Sequence, residues 1–232
     1  MLGPLEYGVW ILSVILEAGV VACALSKGCF RRYLALNLYM LVSCASSLAG
    51  YRVLSIYGFS SNEYAHFYYY SHLLLTIALY FVLINLYSHV FDEMRADRVL
   101  RFGAVLLLLG TSIFSFAVVH EAEDRILTRF VVEVSQNLYF VGVVLTYVLW
   151  GAMLKLRETR TRLIQLVLSL GVYFSLLAAN YALRNLYLPL HTVMIYMLQF
   201  IGCLLPLAWC YAFLRFPEEA RLAPSRLAVI PR

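Results

Sequence analysis

Charge is what this 232-residue chain has least of. Only 13% of its residues are Asp, Glu, Lys or Arg, about half of the roughly 25% that a soluble domain carries. So little charge excludes a water-exposed surface over most of the molecule. Lysine is almost missing: Lys27 and Lys155 stand alone, both between apolar runs rather than inside one. Cysteine is sparse too, at Cys23, Cys29, Cys44, Cys203 and Cys210. None lies in an outer loop, where an oxidising compartment could form a disulfide. Their spacing matches no zinc site, and they read as small packing residues. There is no H-E-x-x-H sequence, and no histidine pair four residues apart that would place a metal on one helix face. A positive n-region is absent as well. Val20-Val21-Ala22-Cys23 has the form of a lipoprotein box and Ala22-Cys23-Ala24 that of a signal-peptidase site. The charges Lys27, Arg31 and Arg32 nevertheless follow the apolar run instead of preceding it, which predicts a retained first helix.

What fills the chain is apolar. Hydrophobic residues make up 63% and mean hydropathy is +0.81. A helix needs about 20 apolar residues to cross roughly 30 Å of hydrocarbon. Seven segments meet that length: Tyr7–Ser26, Tyr33–Ile56, Phe67–Phe91, Phe102–His120, Phe130–Leu154, Leu163–Leu183 and Thr192–Leu214. Basic residues are segregated between them. Fourteen of the eighteen lie in the loops after the first, third and fifth segments and in the tail, against Arg125, Arg129 and Arg184 on the other side. Cytoplasmic loops accumulate Lys and Arg, so the N-terminus is expected outside and the C-terminus in the cytoplasm. That segregation also accounts for the formal charge of +5 without a nucleic-acid partner. The expected fold class is all-α, a polytopic bundle of seven transmembrane helices in a bacterial-type inner membrane. Residues 1–215 form the bundle, and 216–232, with Pro217, Pro224 and Pro231, form a short mobile cytoplasmic tail.

Two patterns bear on arrangement. Small residues recur at spacing four in the second segment (Ser43/Ser47, Ala45/Ala49, Ser46/Gly50) and in the first (Ala18/Ala22, Gly19/Cys23). Such spacing allows close helix approach in lipid, so these two segments are expected to be neighbours. At an offset of 130 positions, Arg32, Leu36, Leu38, Ala49, Tyr51 and Tyr57 match Arg162, Leu166, Leu168, Ala179, Tyr181 and Tyr187. Segments 1–3 and 5–7 would then be parallel repeats joined by an inverting fourth span, as in some transporters.

Arg52 draws attention first, because an arginine within a span costs roughly 2.5–3.5 kcal/mol on insertion scales and marks a functional site by default. It sits about 6 Å below the outer end of its segment. His72, Glu133, Asn137 and Asn180 fall at similar depth, with Glu17 and Gln199 about two turns deeper. Together these seven are the candidate ligand-binding residues of a pocket facing the outer side. Arg52 would grip an anionic or carbonyl group through its planar fork. It could instead lock helices by pairing with Glu133, or snorkel to the headgroups. Glu17 reads either as a ligand or proton-coupling group, or as a neutral acid hydrogen-bonded to Ser43, Ser46 or Ser47. The eighteen tyrosines are mostly interfacial by position, with a few left to line the pocket. His66, His72, His120 and His191, beside Glu63, Glu121 and Glu123, lie toward the outer rim, where interfacial hydrogen bonding is their expected role. No metal and no cofactor is assigned.

Among seven-helix proteins, rhodopsin chemistry is excluded because no lysine lies in the last segment. The zinc hydrolases need an aspartate within the spans, and none is there. Phe91-Asp92-Glu93-Met94-Arg95 resembles the acidic–arginine step of G-protein-coupled receptors, but Pro206-Leu207-Ala208-Trp209-Cys210-Tyr211 lacks their Pro-x-x-Tyr spacing. Pro-Gln motifs of SWEET-type transporters are absent. The architecture is similar to the seven-helix sensory modules of bacterial signalling proteins, although no functional residue carries over. A sensor- or receptor-like role is therefore expected, with a small anionic or lipid ligand from the outer side and a protein partner at the basic inner face. A 3+1+3 transporter and an enzyme with a metal at the outer rim are the alternatives.

Overall fold

The computed structural model describes residues 4–58, 60–90, 106–107, 109–111, 113–117, 126–155, 160–186 and 191–217. These fold almost wholly as α-helix. Six long helices are α1 (Pro4–Ser26), α2 (Leu34–Tyr57), α3 (Asn62–Val90), α4 (Ile126–Lys155), α5 (Thr161–Leu186) and α6 (His191–Arg215). All six are long and apolar enough to cross a membrane. They coincide with six of the seven expected segments to within a few residues. The exception is the start of α3, which takes in Asn62–His66 as an extra turn before Phe67. The fourth segment lies partly outside the described residues; those of 106–117 that are described are helical. Glu121, Glu123 and Arg125 and the tail from 218 onward also lie outside them.

Local chemistry sets the tight turns. Gly28 takes φ +65°, where a side chain would be strained. The Cys29 N–H reaches back to Ala24 O and Gly28 N–H to Leu25 O, satisfying the last carbonyls of α1. Gly58 (φ +81°) donates its N–H to Leu54 O and ends α2. Three residues on, Ser61 Oγ accepts the Tyr64 N–H at 3.1 Å and opens α3.

The helices close into a ring in chain order. Each packs on the next, and α6 returns to pack on α1; α3 also touches α5 across the interior. Neighbours in sequence are antiparallel where short turns join them. At two seams they are parallel. Along α3 and α4, Thr76 meets Tyr139 and Tyr87 meets Leu145. Along α1 and α6, the Cys203 thiol points to Val9 O and the Cys210 thiol to Leu16 O. Helices α1–α3 thus repeat their directions in α4–α6. The residues of 106–117 run against α4 in the opposite sense, with Asn137 Nδ2 donating to Ser115 Oγ at 2.9 Å and Phe116 edge-on to Phe130.

The interior is filled by Trp209, Phe174, Phe213, Tyr80, Met40 and Leu36, all nearly inaccessible, while Ile15, Leu48, Phe81, Val144 and Leu207 face outward. Both faces of each helix are therefore apolar, as expected in lipid. Helices α1 and α2 are neighbours as the small residues implied, and Ser43 reaches Glu17 across the seam, but the alanines and glycines of the pattern are not what joins them. Ala18, Ala22, Ala45 and Ala49 are exposed, a Cβ on Gly19 would meet Cys210 of α6, and one on Gly50 would meet Phe67 of α3. The close seam is instead α4–α5, where a Cβ on Gly142 would stand 2.6 Å from the Phe174 ring and one on Gly171 2.8 Å from Thr146 Cγ2.

Candidate functional site

All six helices contribute to a central cavity of 170 Å³, with Glu17, Tyr39, His72, Tyr139, Tyr173 and Gly202 among its lining. Glu17 enters it from α1 and is only 6% exposed. Its Oε1 accepts Ser43 Oγ from α2 at 2.6 Å, and Ser13 Oγ lies at 3.5 Å. Ser43 is thus the serine that reaches it. The second carboxyl oxygen, Oε2, is buried and has no hydrogen-bond partner among the described residues. An unmet acceptor inside protein costs roughly 1–3 kcal/mol, so this oxygen is a place where a donor is wanted.

Facing it, His72 Nε2 lies 3.1 Å from Tyr181 Oη and 3.3 Å from Tyr139 Oη. Tyr139 Oη in turn lies 2.9 Å from Thr76 Oγ1. These contacts tie α3, α4 and α5 together around the ring's interior. Tyr39 of α2 and Tyr173 of α5 line the same cavity. For Tyr173, at the middle of α5, position was the available signal: a tyrosine at mid-span is in the wrong place for an interfacial belt. Tyr39 lies in the first turns of α2 and gave no such signal. Tyr39 and Tyr173 are the lining residues that sequence reasoning passed over.

A second cavity of 240 Å³ lies toward the N-terminal ends of α1 and α3 and the C-terminal end of α2, lined by Trp10, Ser46, Tyr51, Tyr64, Tyr68 and Ser71 among others. His72 and Leu75 line both cavities, so the two adjoin. Trp10 and Tyr51 stack at 5.1 Å on its rim.

The opposite end is closed by cations. Arg162, 2% exposed at the start of α5, donates from Nε to Phe216 O and from Nη1 to Cys29 Sγ, both at 2.8 Å. Its guanidinium also lies 5.5 Å from the Phe213 ring centre. Arg160 donates to His89 O, and His89 Nε2 lies 2.9 Å from Arg32 O. The ends of α3, α5 and α6 are bound by these contacts to the α1–α2 turn.

The other expected site residues disperse. Arg52 is exposed on α2, and among the described residues no ion pair joins it to Glu133 or Glu17. The physical reason is azimuth: α3 stands between α2 and α4 in the ring, so equal depth does not bring Arg52 to Glu133. Glu133 is half-buried on α4 and does not line the central cavity. Asn137 is committed to Ser115. Asn180 donates to Met194 O at 2.8 Å, joining α5 to α6. Gln199 is half-buried, its Oε1 buried without a hydrogen bond. Of the seven, Glu17 and His72 are brought together at the central cavity. Among the described residues no three potential metal ligands converge; His120, Glu121 and Glu123 lie outside those residues. Comparison with family models, with curated proteins and with solved structures finds no match to this chain.

Proposed function

We propose that the chain is a seven-helix integral membrane protein of a bacterial-type inner membrane. It takes a small ligand from the outer side into the cavity beside Glu17 and responds to it as a sensor-like receptor. The observation that carries this reading is the buried Glu17 Oε2, without a partner among the described residues, in a cavity to which all six long helices contribute. A ligand there touches the whole ring at once and can bias its arrangement. The seven-span count is supported by the parallel α3–α4 seam together with the helical residues of 106–117 that run against α4. The orientation rests on the distribution of Lys and Arg. On that orientation the adjoining outer cavity is the entrance, and the Arg162 contacts close the cytoplasmic end. Pro206 lies within α6 and lines the cavity, where a proline permits a bend.

The test is ligand-dependent thermal stability of the purified protein across a panel of small polar solutes. Wild type is expected to gain stability saturably, and Gly202→Leu, which fills the cavity, to lose the response while still folding. An unchanged response in that variant ends the proposal. The repeated directions of α1–α3 and α4–α6 favour a second reading, a small-solute transporter, because parallel repeats of this kind occur in such proteins. Flux of the stabilising solute into proteoliposomes decides between the two.

A further inference from the structure

Resting on the reading of the central cavity as a ligand site, we propose that its ligand carries a small organic ammonium group, seated against Glu17. The cavity lining contains one carboxyl group and, among the described residues, no lysine or arginine. Arg184, a cation near Tyr68 and Tyr181, is outside it. The remaining polar groups of the lining are the hydroxyls of Ser13, Ser43, Thr76 and tyrosines and the His72 imidazole. An anion entering this space meets no cation. An ammonium meets a carboxyl oxygen that has no donor among the described residues, and N⁺–H···O⁻ bonds are roughly twice as strong as neutral ones. Three tyrosines, Tyr39, Tyr139 and Tyr173, line the same volume and suit a cation, because aromatic rings attract ammonium groups through their quadrupole. The volume of 170 Å³ equals about six waters at liquid density, which limits the group to a few heavy atoms. This reverses the charge expected from Arg52, which lies outside the lining.

Such a group could arrive as a free amine or as the headgroup of a lipid at the outer cavity, and the chemistry at Glu17 is the same. Three probes of matched size separate the alternatives: ethanolamine, ethylene glycol and glycolate. Binding is measured by thermal shift and isothermal titration on the full chain in phosphatidylglycerol nanodiscs. Ethanolamine is expected to bind, with the other two about tenfold weaker or more, the scale of one charge-assisted hydrogen bond. Glu17→Gln is expected to remove that preference, and Glu17→Asp to retain part of it. Equal binding of the three, or preference for glycolate, overturns the ammonium proposal but leaves the cavity reading standing. Binding of none overturns both. The result stands on wild-type protein even where a Glu17 variant fails to fold. Repeating the ethanolamine titration in nanodiscs half phosphatidylethanolamine distinguishes the source. Weakened binding there identifies the lipid headgroup as the occupant, and unchanged binding identifies the free amine.

Discussion

At the scale of single residues, Arg52 and Glu17 show what can and cannot be read from a membrane sequence. Depth along a helix follows from counting at 1.5 Å per residue. Azimuth does not, because the lipid-facing and core-facing sides are both apolar, and the periodicity that orients a helix in a soluble protein is absent. Arg52 therefore looks central by depth, while Glu17, equally legible as a buried carboxyl, stands among the same seven candidates without distinction. Arg52→Ala is expected to shift unfolding free energy by no more than about 0.5 kcal/mol, as for other exposed positions, and to leave solute binding at the cavity unchanged. Melting curves in detergent check the first and titration the second. Gly142→Ala is the opposite case. Glycine to alanine favours an isolated helix, yet here the new methyl would meet Phe174 at 2.6 Å. Overpacking of that kind costs about 1–3 kcal/mol, so the variant is expected to melt lower. A higher melting temperature would show that the α4–α5 seam can relax.

At the scale of elements, the boundaries of six helices were legible because hydrocarbon thickness fixes their length. The seams were not legible. Sequence spacing of small residues identified α1 and α2 as neighbours correctly, but Gly19 and Gly50 turned out to face α6 and α3. Spacing of four says that a helix has a smooth face without saying which helix meets it. The closure built on Arg162 was also missed, since a basic residue beside a loop reads as topology and nothing more. Its consequence is measurable. Arg162 covers Cys29, which is 7% exposed. Loss of even one hydrogen bond to a charged group, about 1.5 kcal/mol, raises local opening about tenfold. In a chain whose other four cysteines are replaced by serine, Arg162→Leu is expected to speed maleimide labelling of Cys29 by that order. An unchanged rate would mean that the α1–α2 turn is held without Arg162.

At the scale of the whole molecule, the offset of 130 residues gains meaning from helix direction. Shifting α2 and α3 by that number places them at 164–187 and 192–220, close to α5 (Thr161–Leu186) and α6 (His191–Arg215). The few matched side chains suggested a repeat only faintly, because apolar helices share residues by composition alone. Topology is the stronger statement, and labelling tests it. A single cysteine at Ser60 is expected to react with an impermeant maleimide on intact cells, and one at Lys155 only after permeabilisation. Labelling of both from outside would contradict the proposed crossing order.

The parallel seam of α1 with α6 also has a consequence for biogenesis. Val9 and Cys203 touch across 194 residues, so at about 5–20 residues per second the ribosome needs roughly 10–40 s to supply the helix that closes the ring. Throughout that interval the wall beside Glu17 is open. Both serines near its carboxyl group, Ser13 and Ser43, belong to the α1–α2 hairpin, the first pair of helices to be made. The hairpin thus carries its own means of holding a carboxyl group in the membrane before the rest of the protein exists.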